Sequence, residues 1–227
     1  SKTKDKDLIK KLKHLDYLFL DANSLVHPVC FKVLADNPNL TNLEKLEGKM
    51  LNAVIEYIKE LKQKVNPKKA LYISIDGVAP VAKIKQQRQR RFKSVHDRTL
   101  QNNIKKKHNM KITNSWNNSA ITPGTVFMNK LTKKLIEYSK SEDGKVIFSS
   151  ANTPSEGEHK ILQFIKDDVR ANNNNSYVIY GLDADLLFLA LTVPTTDIYL
   201  LRESVHLKRE SVDKLSYVSI DTMKDLV

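Results

Sequence analysis

Three apolar runs in this chain end in aspartate, and that repetition constrains the fold more than any other feature of the sequence. Tyr17-Leu18-Phe19-Leu20 leads into Asp21, and Leu71-Tyr72-Ile73-Ser74-Ile75 leads into Asp76. Tyr177-Val178-Ile179-Tyr180 is broken by Gly181; Asp183 and Asp185 follow, then a second apolar run, Leu186 to Leu191. Short runs rich in β-branched and aromatic residues read as buried strands, and the run after Asp185 as the start of a helix. In an open parallel sheet the carboxyl ends of the strands share one edge, where ligands bind. Aspartates gathered there repel one another and raise each other's pKa values unless cations occupy the space between them. Hard oxygen ligands suit Mg²⁺ or Mn²⁺. For Asp185 taken alone, an N-cap opening the helix accounts for the residue as well as a bound cation does.

The segments between these runs read as an α/β protein. Leu43, Leu46, Met50, Leu51, Val54, Ile55, Ile58 and Leu61 have helical spacing. The helix over 43–65 has Thr41 or Asn42 as cap, ends at Asn66-Pro67, and can cross over between parallel strands. Asp21 to Ser24 reads as a turn, and 105–120 as a long polar loop carrying Trp116, the one tryptophan. Thr122-Pro123-Gly124 predicts a helix capped by Thr122, with Phe127, Leu131, Leu135, Ile136 and Tyr138 on its core face. A turn at Asp143-Gly144 precedes a strand over Val146-Ile147-Phe148. The next helix opens at Pro154, where Ser155 and Glu158 have capping-box spacing; this explains Glu158 but not Glu156. A further strand spans 197–201, and Ser219 to Met223 reads as a helix start. No internal repeat or second core is visible, which predicts one domain over 1–227.

Shortly after Asp76, Pro80 sets the first turn of another helix. Lys83, Gln87, Arg90 and Arg91 fall on one of its faces, and no acid occurs from Lys83 to Val95. Such a face can receive a phosphate, whereas a merely solvated helix usually mixes charge signs. The whole chain agrees: its formal net charge is +12, which suits a polyanion such as nucleic acid. A second basic run, Lys2 to Lys13, reads as a solvated helix ending near His14. Cys30 is the one cysteine, which rules out an internal disulfide and suits a reducing compartment, the cytoplasm first and the nucleus second. No apolar stretch reaches the length of a membrane span, and no signal peptide is visible. The chain opens on Ser1 rather than methionine, as expected of a processed or trimmed chain. His27, by position alone, reads as an ordinary histidine.

Together these segments resemble the catalytic region of the XRN family of 5′→3′ exoribonucleases. The resemblance rests on Asp21 to His27, Ile75 to Pro80, Ala82-Lys83 with Gln86-Gln87-Arg88 and Arg90-Arg91-Phe92, and Ile121 to Thr125. It continues through Glu156-Gly157-Glu158-His159-Lys160, Tyr180 to Asp185 and Leu201-Arg202-Glu203, in the family's order. It implies a PIN or flap-endonuclease-like fold, with a mixed, largely parallel sheet flanked by helices. It implies that Asp21, Asp76, Glu156, Glu158, Asp183 and Asp185 are acidic metal-site positions holding two Mg²⁺ ions, with Mn²⁺ an alternative. Lys83, Gln87, Arg90 and Arg91 match the family's pocket for a 5′-monophosphate, and His27 a histidine that stacks on the terminal base. The implied substrate is single-stranded RNA with a 5′-monophosphate, met in RNA degradation or processing. The family's Gly-Val-Pro start is absent. A seventh acidic ligand and the aromatic partner of His27 would lie beyond Val227, so the resemblance implies the first part of a larger nuclease.

Two rival functions follow from the same residues. A structure-specific DNA nuclease of this fold would share the acids without needing a sharp 5′-phosphate pocket. A non-catalytic RNA-binding module would be expected to have lost acids.

Overall fold

Alternation along the strands decides how the protein is layered. Successive side chains of a strand point to opposite faces of the sheet. Leu18, Leu20, Leu71, Ile73, Val178, Tyr180, Tyr199 and Leu201 therefore join one hydrophobic core, while Phe19, Tyr72, Tyr177, Ile179, Ile198 and Leu200 join a second. The structure, a computed structural model, describes residues 12, 14–77, 81–108, 116–142, 145–181, 184–194, 197–203 and 215–225. Within them lies a six-stranded sheet in the order β3-β2-β1-β4-β5-β6. Its strands are β1 (Tyr17–Asp21), β2 (Ala70–Ser74), β3 (Val146–Ser149), β4 (Tyr177–Tyr180), β5 (Ile198–Glu203) and β6 (Leu215–Ser219). The first five are parallel and β6 runs antiparallel to β5. This is the mixed, largely parallel α/β architecture expected from the sequence, consistent with a PIN-like nuclease fold.

The helices cover both faces. On the first face lie α1 (Ala22–Asp36), α2 (Leu43–Val65) and α4 (Val126–Ser141), burying Leu25, Val26, Met50, Val54, Leu131 and Leu135 among others. On the second lie α5 (Gly157–Arg170), α6 (Ala184–Leu191) and the short α7 (Ile220–Lys224), through Ile161, Ile165, Leu186, Ala190 and Ile220. The long α3 (Val81–Lys107) follows β2. Strand order reverses at β1: the chain adds β2 and β3 on one side of it, then returns to place β4 on the other. Register puts Leu20 beside Ile73 and Tyr180, so β1, β2 and β4 end together. The crevice at such a reversal is the usual ligand position in an open α/β sheet.

Several local expectations change. Asp21 to Ser24 is not a turn: Asp21 is the N-cap of α1, which starts at once and carries Pro28 inside it. Asn42, not Thr41, caps α2 by accepting from the Lys45 N–H at 2.9 Å. The expected loop over 105–120 is helical to Lys107, and Trp116 is buried with its ring edge-on to Phe127, centroids 5.8 Å apart. Thr125 rather than Thr122 caps α4, because Gly124 at φ 88° turns the chain first. Ser155 adopts φ 98° outside α5 and Glu156 occupies the N-cap, so the Ser155–Glu158 capping box does not form. Asp185 falls inside the first turn of α6 rather than at its cap. The basic run 2–13, apart from Leu12, lies outside the described residues, as do Pro80 and the Asp143-Gly144 turn.

Candidate metal centre at the carboxyl edge of the sheet

Two neighbouring strand ends at the reversal, those of β1 and β2, each deliver an acid. Asp21 closes β1 and accepts from the Asn23 N–H at 3.1 Å and the Ser24 hydroxyl at 2.8 Å. Its charge thus sits at the start of α1, where the helix dipole favours an anion. One strand over, the chain continues past Ser74 to Asp76, whose Oδ1 accepts the Gly157 N–H at 2.7 Å. Gly157 opens α5, and a Cβ there would stand 2.8 Å from Asp21 Oδ1 and 3.0 Å from Ser74 Oγ. The buried Ser74 hydroxyl donates to the Gly157 carbonyl at 3.0 Å. Glycine is therefore required by close approach: its backbone lies between the two aspartates.

The residues flanking Gly157 add two more carboxylates. Glu156 is buried, with 8% of its surface exposed, and Glu158 is half-buried. Ligand atoms of Glu156, Glu158 and His159 lie within 4.8 Å of one another. His159 Nδ1 is 3.7 Å from Glu156 Oε2 and 3.9 Å from Glu158 Oε1. Four of the six predicted acids, Asp21, Asp76, Glu156 and Glu158, thus meet around one glycine. The donor set is dominated by carboxylate oxygen, which fits a hard divalent cation. A cation there would compensate charges that otherwise oppose each other.

One cation is already built into this edge. Lys160 is buried, 6% exposed, and its Nζ donates to the carbonyls of Ile75 and Ser150, each at 2.8 Å. Burial lowers its pKa from the ordinary lysine value, and the nearby Asp76 carboxylate partly opposes that.

The other predicted positions are less completely defined. Asp183 lies outside the described residues, and of Asp185 only the helical backbone is described. The same holds for Lys83, Gln87, Arg90 and Arg91, which occupy α3 at the expected spacing. His27 is half-buried on α1, with its ring near-parallel to that of Phe31, centroids 6.4 Å apart. Sequence reading missed Ser74, Gly157, His159 and Lys160 as parts of this site. A lysine among Gly157, Ile161 and Ile165 on the buried face of α5 was a signal for Lys160. The role of Ser74 leaves no trace in local sequence.

Comparison with known proteins gives the chain a family. The model of a family described as the XRN 5′-3′ exonuclease N-terminus matches residues 1–204. The chain is 39% identical over 215 residues to a 5′-3′ exoribonuclease 2 of Kluyveromyces lactis, covering 84% of this chain and 21% of that protein. It is 40% identical over 215 residues to a 5′-3′ exoribonuclease 2 of Eremothecium gossypii, covering 84% of this chain and 22% of that one. Against a 5′-3′ exoribonuclease 1 of Saccharomyces cerevisiae it is 37% identical over 219 residues, 91% of this chain and 14% of the relative. The chain thus spans about a fifth or less of the length of these relatives.

Proposed function

The chain belongs to the XRN 5′-3′ exonuclease family, and on that premise we propose that it is the metal-binding part of a nuclease that hydrolyses RNA from a 5′-monophosphate end. The observation that carries this reading is the meeting of Asp21, Asp76, Glu156 and Glu158 around Gly157. We assign Asp183 and Asp185 to the same site because β4 ends beside β1 and leads into them. Two Mg²⁺ ions, or Mn²⁺ in their place, would supply an activated water and stabilise the leaving oxygen of the phosphodiester.

The protein's own residues would do the rest. The carboxylates hold the ions, and Glu156 stands at the N-cap of α5, where the helix dipole favours an anion. Lys83, Gln87, Arg90 and Arg91 grip the terminal phosphate, which carries more charge than an internal phosphodiester. His27, one and a half turns into the helix that begins at Asp21, stacks on the terminal base. Anchoring the end in this way presents the first internal phosphodiester to the carboxylate site and makes cleavage directional. The substrate is single-stranded RNA in decay or processing, in the cytoplasm or the nucleus. Residues 1–227 form one domain of that nuclease. No helix among the described residues is long and apolar enough to cross a membrane.

The test is digestion by the full-length protein, with and without Mg²⁺, of RNA and DNA strands of one sequence carrying 5′-monophosphate or 5′-hydroxyl ends. Metal-dependent, stepwise release from monophosphorylated RNA supports the reading. Arg90→Ala should then reduce use of monophosphate ends about ten- to a hundredfold, the worth of one charged hydrogen bond. Equal slowing on both kinds of end would reduce the basic face to a general backbone contact. Preferred cleavage of DNA would favour the rival nuclease.

A further inference from the structure

Lys160 is out of place on charge grounds. A core position on an amphipathic helix normally takes an apolar side chain, and a buried ammonium carries a desolvation cost that Met or Leu would not. Its hydrogen bonds show what the lysine gains. Nζ reaches the carbonyl of Ile75, the residue before Asp76, and that of Ser150, just beyond the end of β3. Its own N–H donates to the Glu156 carbonyl at 3.1 Å. One residue therefore ties together the strand end that delivers Asp76, the loop leaving β3 and the helix start that carries Glu156 and Glu158. Neighbouring bonds reinforce the knot: Ile75 N–H to the Ser149 carbonyl at 3.0 Å, and Gly77 N–H to the Ser155 carbonyl at 2.9 Å.

We infer that Lys160 is a positioning residue of the metal centre: through Ile75 and Ser150 its ammonium fixes Asp76 against Glu156 and Glu158. The inference rests on the reading of this edge as a divalent-cation site. Two effects of Lys160 on a cation compete, and they have opposite signs. As a positive charge near the carboxylates it repels an incoming cation, so removing it should tighten binding. As a tie that holds the ligands at working spacing it favours the cation, so removing it should weaken binding. The geometry selects the second effect. Nζ is directed at two peptide carbonyls, whose dipoles solvate its charge while its position fixes the backbone.

The experiment is Mn²⁺ titration by calorimetry of the full-length protein, alongside its metal-free melting temperature. Lys160→Met keeps the length and removes the charge and both donors. Its Mn²⁺ affinity is expected to fall about ten- to a hundredfold, as it does when partners that orient metal ligands are removed. Tighter binding would make Lys160 a competing charge and overturn the inference. Unchanged affinity with a lower melting temperature would make it a structural tie and overturn it too. Should the Met variant not fold, Lys160→Gln, which loses the charge but keeps a donor, carries the same sign test. Wild-type protein that binds no Mn²⁺ would sink the metal-site reading itself, a failure distinct from a wild type that binds and a variant that binds equally well.

Discussion

The two ends of the sheet treat their acids in opposite ways. At the amino ends of the strands, Asp168 accepts from Asn175 at 2.6 Å, Asn173 at 2.7 Å and the Tyr177 hydroxyl at 2.9 Å. Asp16, beside it, accepts from both the N–H and the hydroxyl of Ser176. Burial alone would raise the Asp168 pKa, but the bonds from Asn175, Asn173 and Tyr177, with Lys69 nearby, hold it below the ordinary carboxylate value. Those acids are each satisfied by neutral donors, which closes α5 onto the sheet. At the carboxyl ends, acids from three segments are crowded around Gly157 instead. Crowding of that kind is a cost in the apo protein and an asset only when a cation arrives. The contrast separates an edge that stabilises the fold from one proposed to hold a cation.

The largest expected effect is on the crowded edge. Asp76→Asn in the full-length protein should lower RNA cleavage by roughly a thousandfold, about 4 kcal/mol of lost transition-state stabilisation. Its metal-free melting temperature should stay the same or rise, since one repelling charge is gone. A drop of several degrees without metal would place Asp76 in the stabilising class. Gly157→Ala comes next. The new Cβ would press on Asp21 and Ser74, costing about 1–3 kcal/mol by overpacking and weakening cleavage as Asp21 shifts. Thermal melting and cleavage rates together check this, and unchanged values in both would break the link between the glycine and the aspartates.

Asp168→Ala should do the reverse. Stranding Asn175 and the Tyr177 hydroxyl costs about 1–3 kcal/mol of stability, with Mn²⁺ affinity unaffected. The smallest effect is its pH dependence. A carboxylate with a depressed folded pKa stabilises above its unfolded value of about 3.9, and the contribution is lost as pH falls through the folded pKa. The stability gap between wild type and Asp168→Ala, measured by urea unfolding, should therefore narrow from pH 7 to strongly acid pH. A constant gap would mean that Asp168 acts through packing rather than charge.

These regions differ also in how far sequence reveals them. Strands β1, β2 and β4 were legible because their runs are short, apolar and punctuated by aspartate, and α2 because its period never lapses. Helix α1 was hidden because Asp21-Ala22-Asn23-Ser24 has turn composition and Pro28 follows, whereas the aspartate in fact caps the helix. The length of α3 was hidden by polar residues that a helix exposed along much of its surface can carry. Strand β6 had no counterpart in the sequence reading, because its pairing partner is set only by the end of β5. At the site, the acids were legible as residue types. That Gly157 brings them together, and that Lys160 ties them from beneath, depends on contacts more than 80 residues apart in sequence.

The central claim is that a divalent cation answers the crowding at the carboxyl edge. It is tested most directly by melting the full-length protein, wild type and Glu156→Gln/Glu158→Gln, over a Mn²⁺ series with chelator as the zero point. The account predicts that Mn²⁺ raises the wild-type melting temperature progressively, that the double variant responds little, and that without metal the double variant is at least as stable. A wild type indifferent to Mn²⁺, or a double variant stabilised as strongly as the wild type, would contradict it.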